Sequence, residues 1–288
     1  MTTTMNDRPP PPDAAGRGVQ RLRQPPKARL VEVRRVRHIT PHLCCITFTG
    51  EDLHDFASTG FDDHLKLLLP TPGVPFELPN FGPGNPPADG PPPGPRPNAR
   101  DYTPRRFDVA ARELDIEFAL HGEGPADDFA RLAEVGQRVG IAGPRGSFIV
   151  PMDFDWHLLI GDDTALPAIA RRLEELPADA AVTVIIEVDH PDDRPPLPSR
   201  ARTVFTWLYR AARDGRLVDA AAARSLAQAT AALMLPGGAG YAWAAGEASE
   251  IAAVRRELVG TLGLDKRSVR AAAYWKRGAA GHHSKIED

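Results

Sequence analysis

The six residues Arg100-Asp101-Tyr102-Thr103-Pro104-Arg105 hold groups suited to a flat, phosphate-bearing cofactor. An aromatic ring can stack on such a molecule, a hydroxyl can bond its polar edge, and a guanidinium can clamp a pyrophosphate bidentately. On an extended backbone Arg100 and Tyr102 share one face and Thr103 and Arg105 the other, and the pre-proline position holds Thr103 extended. A plainer reading is an ordinary strand start after a loop, its arginines paired with acids. Gly161-Asp162-Asp163-Thr164 lies between an apolar run and a helical segment, where Asp163 or Thr164 can cap the helix. It is not a GxGxxG fingerprint. Near the end of the chain, Tyr274-Trp275-Lys276-Arg277-Gly278 joins aromatic rings to two cations. There too a plainer reading exists, with Trp275 in the core and the cations solvated. The nine histidines form no metal-ligand pattern, and adjacent Cys44 and Cys45 point to opposite faces of a strand, which disfavours a bond between them.

Two kinds of element must position these groups. From Ala28 to Val150 the chain reads as short strands broken by turns: ARLVEVRRVRHIT, LCCITFTG, DHLKLLLP, RELDIEFAL, RVGIAG and SFIV, with one brief helix at PADDFARLAE. Leu114, Ile116, Phe118 and Leu120 alternate with Glu113, Asp115 and Glu117, the period of a strand with one buried face. This half is expected to be a small antiparallel β-barrel over residues 27–150. From Pro151 the rhythm changes to alternating strands (WHLLIG, AVTVIIEV, RTVFTWLY, YAWAAG, SVRAAAYW) and helices (TALPAIARRLEEL, VDAAAARSLAQATAALML, SEIAAVRRELVGTLG). That pattern predicts an open, mainly parallel α/β sheet over residues 151–288. Ligands of such sheets sit beyond the carboxyl ends of the strands, which is where Gly246 and Glu247 fall. Residues 1–26 lack apolar periodicity and are expected to form a disordered arm. Residues 70–104 hold thirteen prolines, so an insertion at 71–99 can be neither helix nor central strand. A net charge of −3 excludes binding of nucleic acid or membrane driven by bulk charge. No stretch approaches the ~20 apolar residues of a membrane span, and the first eighteen residues hold no apolar run of a secretory signal, so a cytoplasmic protein is expected.

R-x-Y-T-P-R, followed in order by ALHGEGPADDFA, AGPRGS, GDDTALPAI, YAWAAGE and YWKRG, resembles the siderophore-interacting protein family, FAD-binding ferric-siderophore reductases related to the ferredoxin-NADP reductases. The likeness spans about residues 28 to 280. It implies an N-terminal FAD-binding barrel and a C-terminal NAD(P)-binding domain. By motif, Arg100, Tyr102, Thr103 and Arg105 become flavin ligands: Tyr102 on the ring, Thr103 at its N5 edge, Arg105 on the pyrophosphate. His121, Gly122, Gly124, Pro125 and Ala126 form a second flavin loop, whose short helix presents N–H groups to phosphate. Asp127 and Phe129 depart from the family's usual serine and tryptophan, and an acid there would repel phosphate, so Asp127 is expected to turn away.

The resemblance further places Gly161, Asp162, Thr164 and Ala165 against the flavin, and turns Gly246, Glu247 and Trp275 toward nicotinamide or flavin. Lys66, Arg145 and Arg277 are matched to the basic residues that hold an anionic ferric siderophore. The implied reaction passes a hydride from NADPH or NADH to FAD and single electrons from FAD to ferric iron, with ferredoxin an alternative donor. The flavin carries the chemistry, so no side chain is nominated as catalytic and no protein-bound metal is expected. Two other classes remain open at this stage: a flavin enzyme whose acceptor is a protein or free flavin, and a siderophore-binding module without turnover.

Overall fold

A computed structural model describes residues 17–25, 27–69, 78, 98–122, 124–279 and 284–286. In the first half the strands are β1 (Gln20–Arg23), β2 (Ala28–Thr40), β3 (Leu43–Thr49), β4 (Leu65–Leu69), β5 (Asn98–Tyr102), β6 (Pro104–Asp108), β7 (Glu113–Ala119), β8 (Arg138–Ala142) and β9 (Gly146–Ile149), with helix α1 (Pro125–Leu132) after β7. Seven of them form an antiparallel sheet in the order β5-β4-β8-β2-β3-β7-β6. Alternation builds its inner face: Leu114, Ile116 and Phe118 of β7 are buried against Ile46 and Phe48 of β3 and Val31 and Val33 of β2. The two edge strands, β5 and β6, are consecutive in the chain and joined by Thr103 alone. The sheet therefore curls into a half-barrel whose two edges meet at that residue. Cys44 points into this core, and both cysteines are buried and free.

The second half carries β10 (Trp156–Asp162), β11 (Ala181–Val188), β12 (Arg202–Tyr209), β13 (Gly240–Glu247), β14 (Val269–Trp275) and β15 (Ser284–Lys285), ordered β12-β11-β10-β13-β14-β15. The first five are parallel, and β15 pairs antiparallel with β14. Helices are α2 (Leu166–Glu175), α3 (Arg210–Arg213), α4 (Leu226–Ala231) and α5 (Ala248–Arg256). Every residue of β10 and β13 is buried, as central strands covered on both faces require. Ala168, Ile169 and Leu173 of α2 cover one face; Leu226 of α4 and Ile251 and Val254 of α5 cover the other. After β10 the chain adds strands on one side, and from β13 onward on the other. The strand order thus reverses between β10 and β13, which opens a crevice at their carboxyl ends.

The two sheets are joined tightly. Phe61, from the barrel's β3–β4 connection, enters the core of the second half, its ring 5.4 Å from that of Trp243. Its neighbour Asp62 accepts from Trp243 Nε1 at 3.2 Å and pairs with Arg270. Arg171 of α2 donates to Ser58 Oγ (2.9 Å) and to the Pro104 carbonyl (2.8 Å), which ties the helix to the start of β6.

Three expectations change. Gln20–Arg23 are not part of a disordered arm but pair with β9 as β1, an approach so close that a Cβ on Gly146 would lie 2.3 Å from the Leu22 carbonyl. β5 begins at Asn98, inside the span expected for the proline-rich insertion; apart from Leu78, residues 71–97 lie outside the described residues. The helix expected over 218–235 is confined to α4. Ser225 and Gln228 form a reciprocal capping box that starts it, and of residues 218–225 only Ala222 is buried while Val218 is fully exposed, too little apolar surface to hold an earlier turn.

Candidate functional site

A cleft opens between the outer face of the half-barrel and the carboxyl ends of β10 and β14. On the barrel side it is walled by Lys66 of β4, Arg100 and Tyr102 of β5, the junction residue Thr103, Glu117 of β7, and His121. Gly124 to Asp127, at the start of α1, close one end. Asp163, Thr164, Pro167, Tyr274 and Trp275 face them from the second half.

Aromatic groups stand on both sides. The Tyr102 ring packs on Phe118 with centroids 4.5 Å apart, and burial raises its phenol above the usual range, so it stays neutral. Across the cleft, the Trp275 indole lies nearly parallel to the His121 ring, 26° apart in plane and 5.9 Å between centroids. Thr103 is buried and hydrogen-bonded to the Tyr274 phenol, joining the barrel's seam to β14.

The charges are balanced almost pair by pair. Asp101 accepts from Lys66 Nζ at 2.9 and 3.1 Å. Asp127 Oδ2 accepts from Arg131 Nε at 2.5 Å and its Oδ1 from the Gly122 N–H at 2.9 Å. Burial alone would raise Asp127, but Arg131 and that N–H outweigh it and hold the carboxyl below its ordinary range. Glu117 sits 3.3 Å from Arg105, and Asp163 pairs with Arg210. Arg100 donates to the Ala99 carbonyl (2.9 Å) and has no carboxylate partner among the described residues. Nearby, the first turn of α1 has no side-chain cap, and a Cβ on Gly124, at φ +96°, would project into open space. A guanidinium with no acid beside it among the described residues, an uncapped helix start and opposed aromatic rings fit a flat molecule that carries phosphate, as FAD does.

Ten residues expected from sequence meet in this cleft: Lys66, Arg100, Tyr102, Thr103, His121, Gly124, Pro125, Ala126, Thr164 and Trp275. Gly122 lies just outside, donating to Asp127. Arg105 does not line the cleft. Its guanidinium is committed to Glu174 of α2 (2.6 and 3.1 Å) and to Glu117, so it faces a groove behind the cleft. Gly161, Asp162, Ala165, Gly246 and Glu247 are buried beneath the floor. Gly161 lies hard against Ala165 and the Ala245 carbonyl, where a Cβ would sit 2.4 and 2.7 Å away. Glu247 caps α5 through the Ser249 and Glu250 N–H groups. Asp162, rather than Asp163 or Thr164, makes the cap before α2, accepting from the Thr164 N–H at 3.0 Å. Burial, then the charge of Asp163, pushes the Asp162 carboxyl up to about 6.

Of the cations matched to substrate, only Lys66 reaches the cleft, and Asp101 neutralises it there. Arg145 is exposed on the β8–β9 turn, and Arg277 is exposed beyond β14, its N–H on Glu247 Oε1 at 3.3 Å. Asp127 does not leave the cleft; it lines the wall with both oxygens engaged. Sequence reasoning missed Glu117, Asp163 and Tyr274. Glu117 looked like one of three acids on a wet strand face, and only the packing of α2 and β14 over that face reveals it. The doubled acid of Gly161–Thr164 was the one local signal for Asp163.

Two family models match the chain: the siderophore-interacting FAD-binding domain over residues 32–148, and the siderophore-interacting protein over residues 154–278. The ferric vibriobactin reductase ViuB of Vibrio cholerae is 33% identical over 258 residues, which covers 87% of this chain and 90% of ViuB. An NADPH-dependent ferric-chelate reductase of Escherichia coli is 35% identical over 261 residues, 89% of this chain and 96% of the relative. The crystal structure of a siderophore utilization protein from T. fusca superposes with a TM-score of 0.77 at 35% identity, covering 92% of this chain and 98% of that one. With both halves matched in order and nearly the full length shared, the chain belongs to the siderophore-interacting protein family.

Proposed function

We propose that this protein reduces ferric iron held by a siderophore, with FAD in the cleft and NADPH or NADH as electron donor. The observation that carries the reading is the near full-length similarity to relatives named as ferric-chelate and ferric vibriobactin reductases, joined to a cleft whose groups suit a flavin. When bound, FAD supplies the conversion between a two-electron donor and a one-electron acceptor.

The chain's own residues position that cofactor. Tyr102 and Trp275 offer planar faces from opposite walls, and Thr103 stands at the seam where a hydroxyl can meet the ring's polar edge. Arg100 and the uncapped start of α1 take the phosphates. The Lys66–Asp101, Asp127–Arg131, Glu117–Arg105 and Asp163–Arg210 pairs leave the wall nearly neutral. An anionic cofactor therefore meets its main attraction at Arg100.

Titration of the apoprotein with FAD tests the assignment. A charge-assisted hydrogen bond contributes about 1.5–3 kcal/mol, so Arg100→Ala should weaken FAD binding about 10- to 100-fold. Arg105→Ala should change it less than about threefold while lowering the protein's stability. The reverse ranking would return the phosphate to Arg105 and overturn the site as drawn.

A further inference from the structure

Asp162 ends β10 at the point where the strand order reverses, and four donors converge on its carboxylate. Oδ1 accepts from the Thr164 N–H (3.0 Å) and Thr164 Oγ1 (2.5 Å). Oδ2 accepts from the Glu247 N–H (2.9 Å) and Trp275 Nε1 (2.8 Å). Those donors come from the turn before α2, the end of β13 and the end of β14, and the carboxylate is 3% exposed. An ionised carboxylate has about four acceptor positions and no donor, so all of its capacity is used. The room for it is made by Gly246, where a Cβ would fall 2.5 Å from Oδ2. Two of the groups it holds, Thr164 and Trp275, line the cleft, whereas Asp162 does not.

We propose that Asp162 is a positioning residue: it fixes the Trp275 indole, from below the cleft floor, in the plane that a bound flavin meets. The flavin in this statement rests on the function proposed above; the hold on Trp275 does not. Alanine removes every acceptor from these donors, whereas asparagine can keep its one oxygen on the Glu247 N–H and Trp275 Nε1 and set its NH2 against the Thr164 hydroxyl, which can accept. A histidine ring alone does not fix the indole, since His121 is itself 44% exposed and stacks on Trp275 from the solvent side.

The test uses the full chain labelled with nitrogen-15 at tryptophan, which gives four indole N–H signals, with Trp275→Phe identifying the relevant one. In the wild type that proton should exchange slowly with water. In Asp162→Ala it should exchange at least about tenfold faster, and FAD should bind about tenfold more weakly. On the Trp275→Phe background the same substitution should cost less than about threefold in FAD affinity, because the group it acts through is gone. An indole proton unchanged by Asp162→Ala, or a full tenfold loss that persists without Trp275, overturns the proposal. Should Asp162→Ala fail to fold, a fast-exchanging indole in the wild type, or unaltered FAD affinity in Trp275→Phe, overturns it equally. A wild type that binds no FAD but keeps the protected indole defeats the functional reading while leaving the Asp162–Trp275 contact intact.

Discussion

Gly246 shows how strictly a single position can be set. Its φ of +150° and the 2.5 Å separation of any Cβ from Asp162 Oδ2 both oppose a side chain there. Gly246→Ala should destabilise the fold by about 2–3 kcal/mol in urea unfolding, and a loss under about 0.5 kcal/mol would contradict the packing described. Asp162 makes a second prediction through its proton. Burial and Asp163 raise its folded value to about 6, above the ~3.9 of an unfolded aspartate. Between those values the folded state holds a proton that the unfolded state has released, so this group's contribution to stability falls as pH rises from about 4 to about 6. The stability of wild type relative to Asp162→Asn should decline across that window and level off above it. A flat or rising difference would contradict the burial argument. At this scale residue type alone was enough to single out Tyr102, Thr103 and Trp275, which the fold brings to one cleft. It was uninformative where the role depends on a partner far along the chain. Arg105 and Arg100 look equivalent in the motif, and only Glu174 of α2 separates them.

Among the elements, α2 does more than cover the parallel sheet. Arg172 is 2% exposed, donates to the Val150 and Pro151 carbonyls at 3.2 and 2.6 Å, and lies over the Phe61 ring at 5.2 Å. It therefore clamps the chain at the passage between the two halves. Arg172→Met keeps the aliphatic stem but leaves two carbonyls without their donor and Glu175 with Arg171 as its remaining ion-pair partner. A loss of about 2–4 kcal/mol should follow, measured by urea unfolding, whereas a neutral effect would show the clamp to be incidental. Strands were legible through alternation, as in β7, or through unbroken apolar runs, as in β10 and β13. Helix lengths were less so. The alanine-rich stretch before Ser225 has helix propensity but buries only Ala222, and packing is what sets most helix boundaries. β1 was invisible for the converse reason, since its four residues are all exposed and pair only because Gly146 lets β9 approach.

At the scale of the whole molecule, a curled antiparallel sheet and an open parallel sheet meet along a shared core, and the cleft lies where the barrel's seam faces the strand-order reversal. The sequence carried this architecture in its change of rhythm near Pro151 and in the order of its motifs. It did not carry the seam itself, because Phe61 and Asp62 read as a loop and become interface only against Trp243 and Arg270. No helix among the described residues is long and apolar enough to cross a membrane. The proposed reaction passes electrons through this cleft from a nicotinamide to siderophore-bound iron. It is tested most directly by mixing FAD-loaded protein with NADPH or NADH without oxygen, then adding a ferric siderophore with a ferrous trap. The flavin absorbance should bleach with the donor and return as trapped ferrous iron accumulates, two ferrous ions for each donor consumed. A flavin that bleaches but is not reoxidised by any ferric chelate, or a protein that takes up no FAD, would contradict the account.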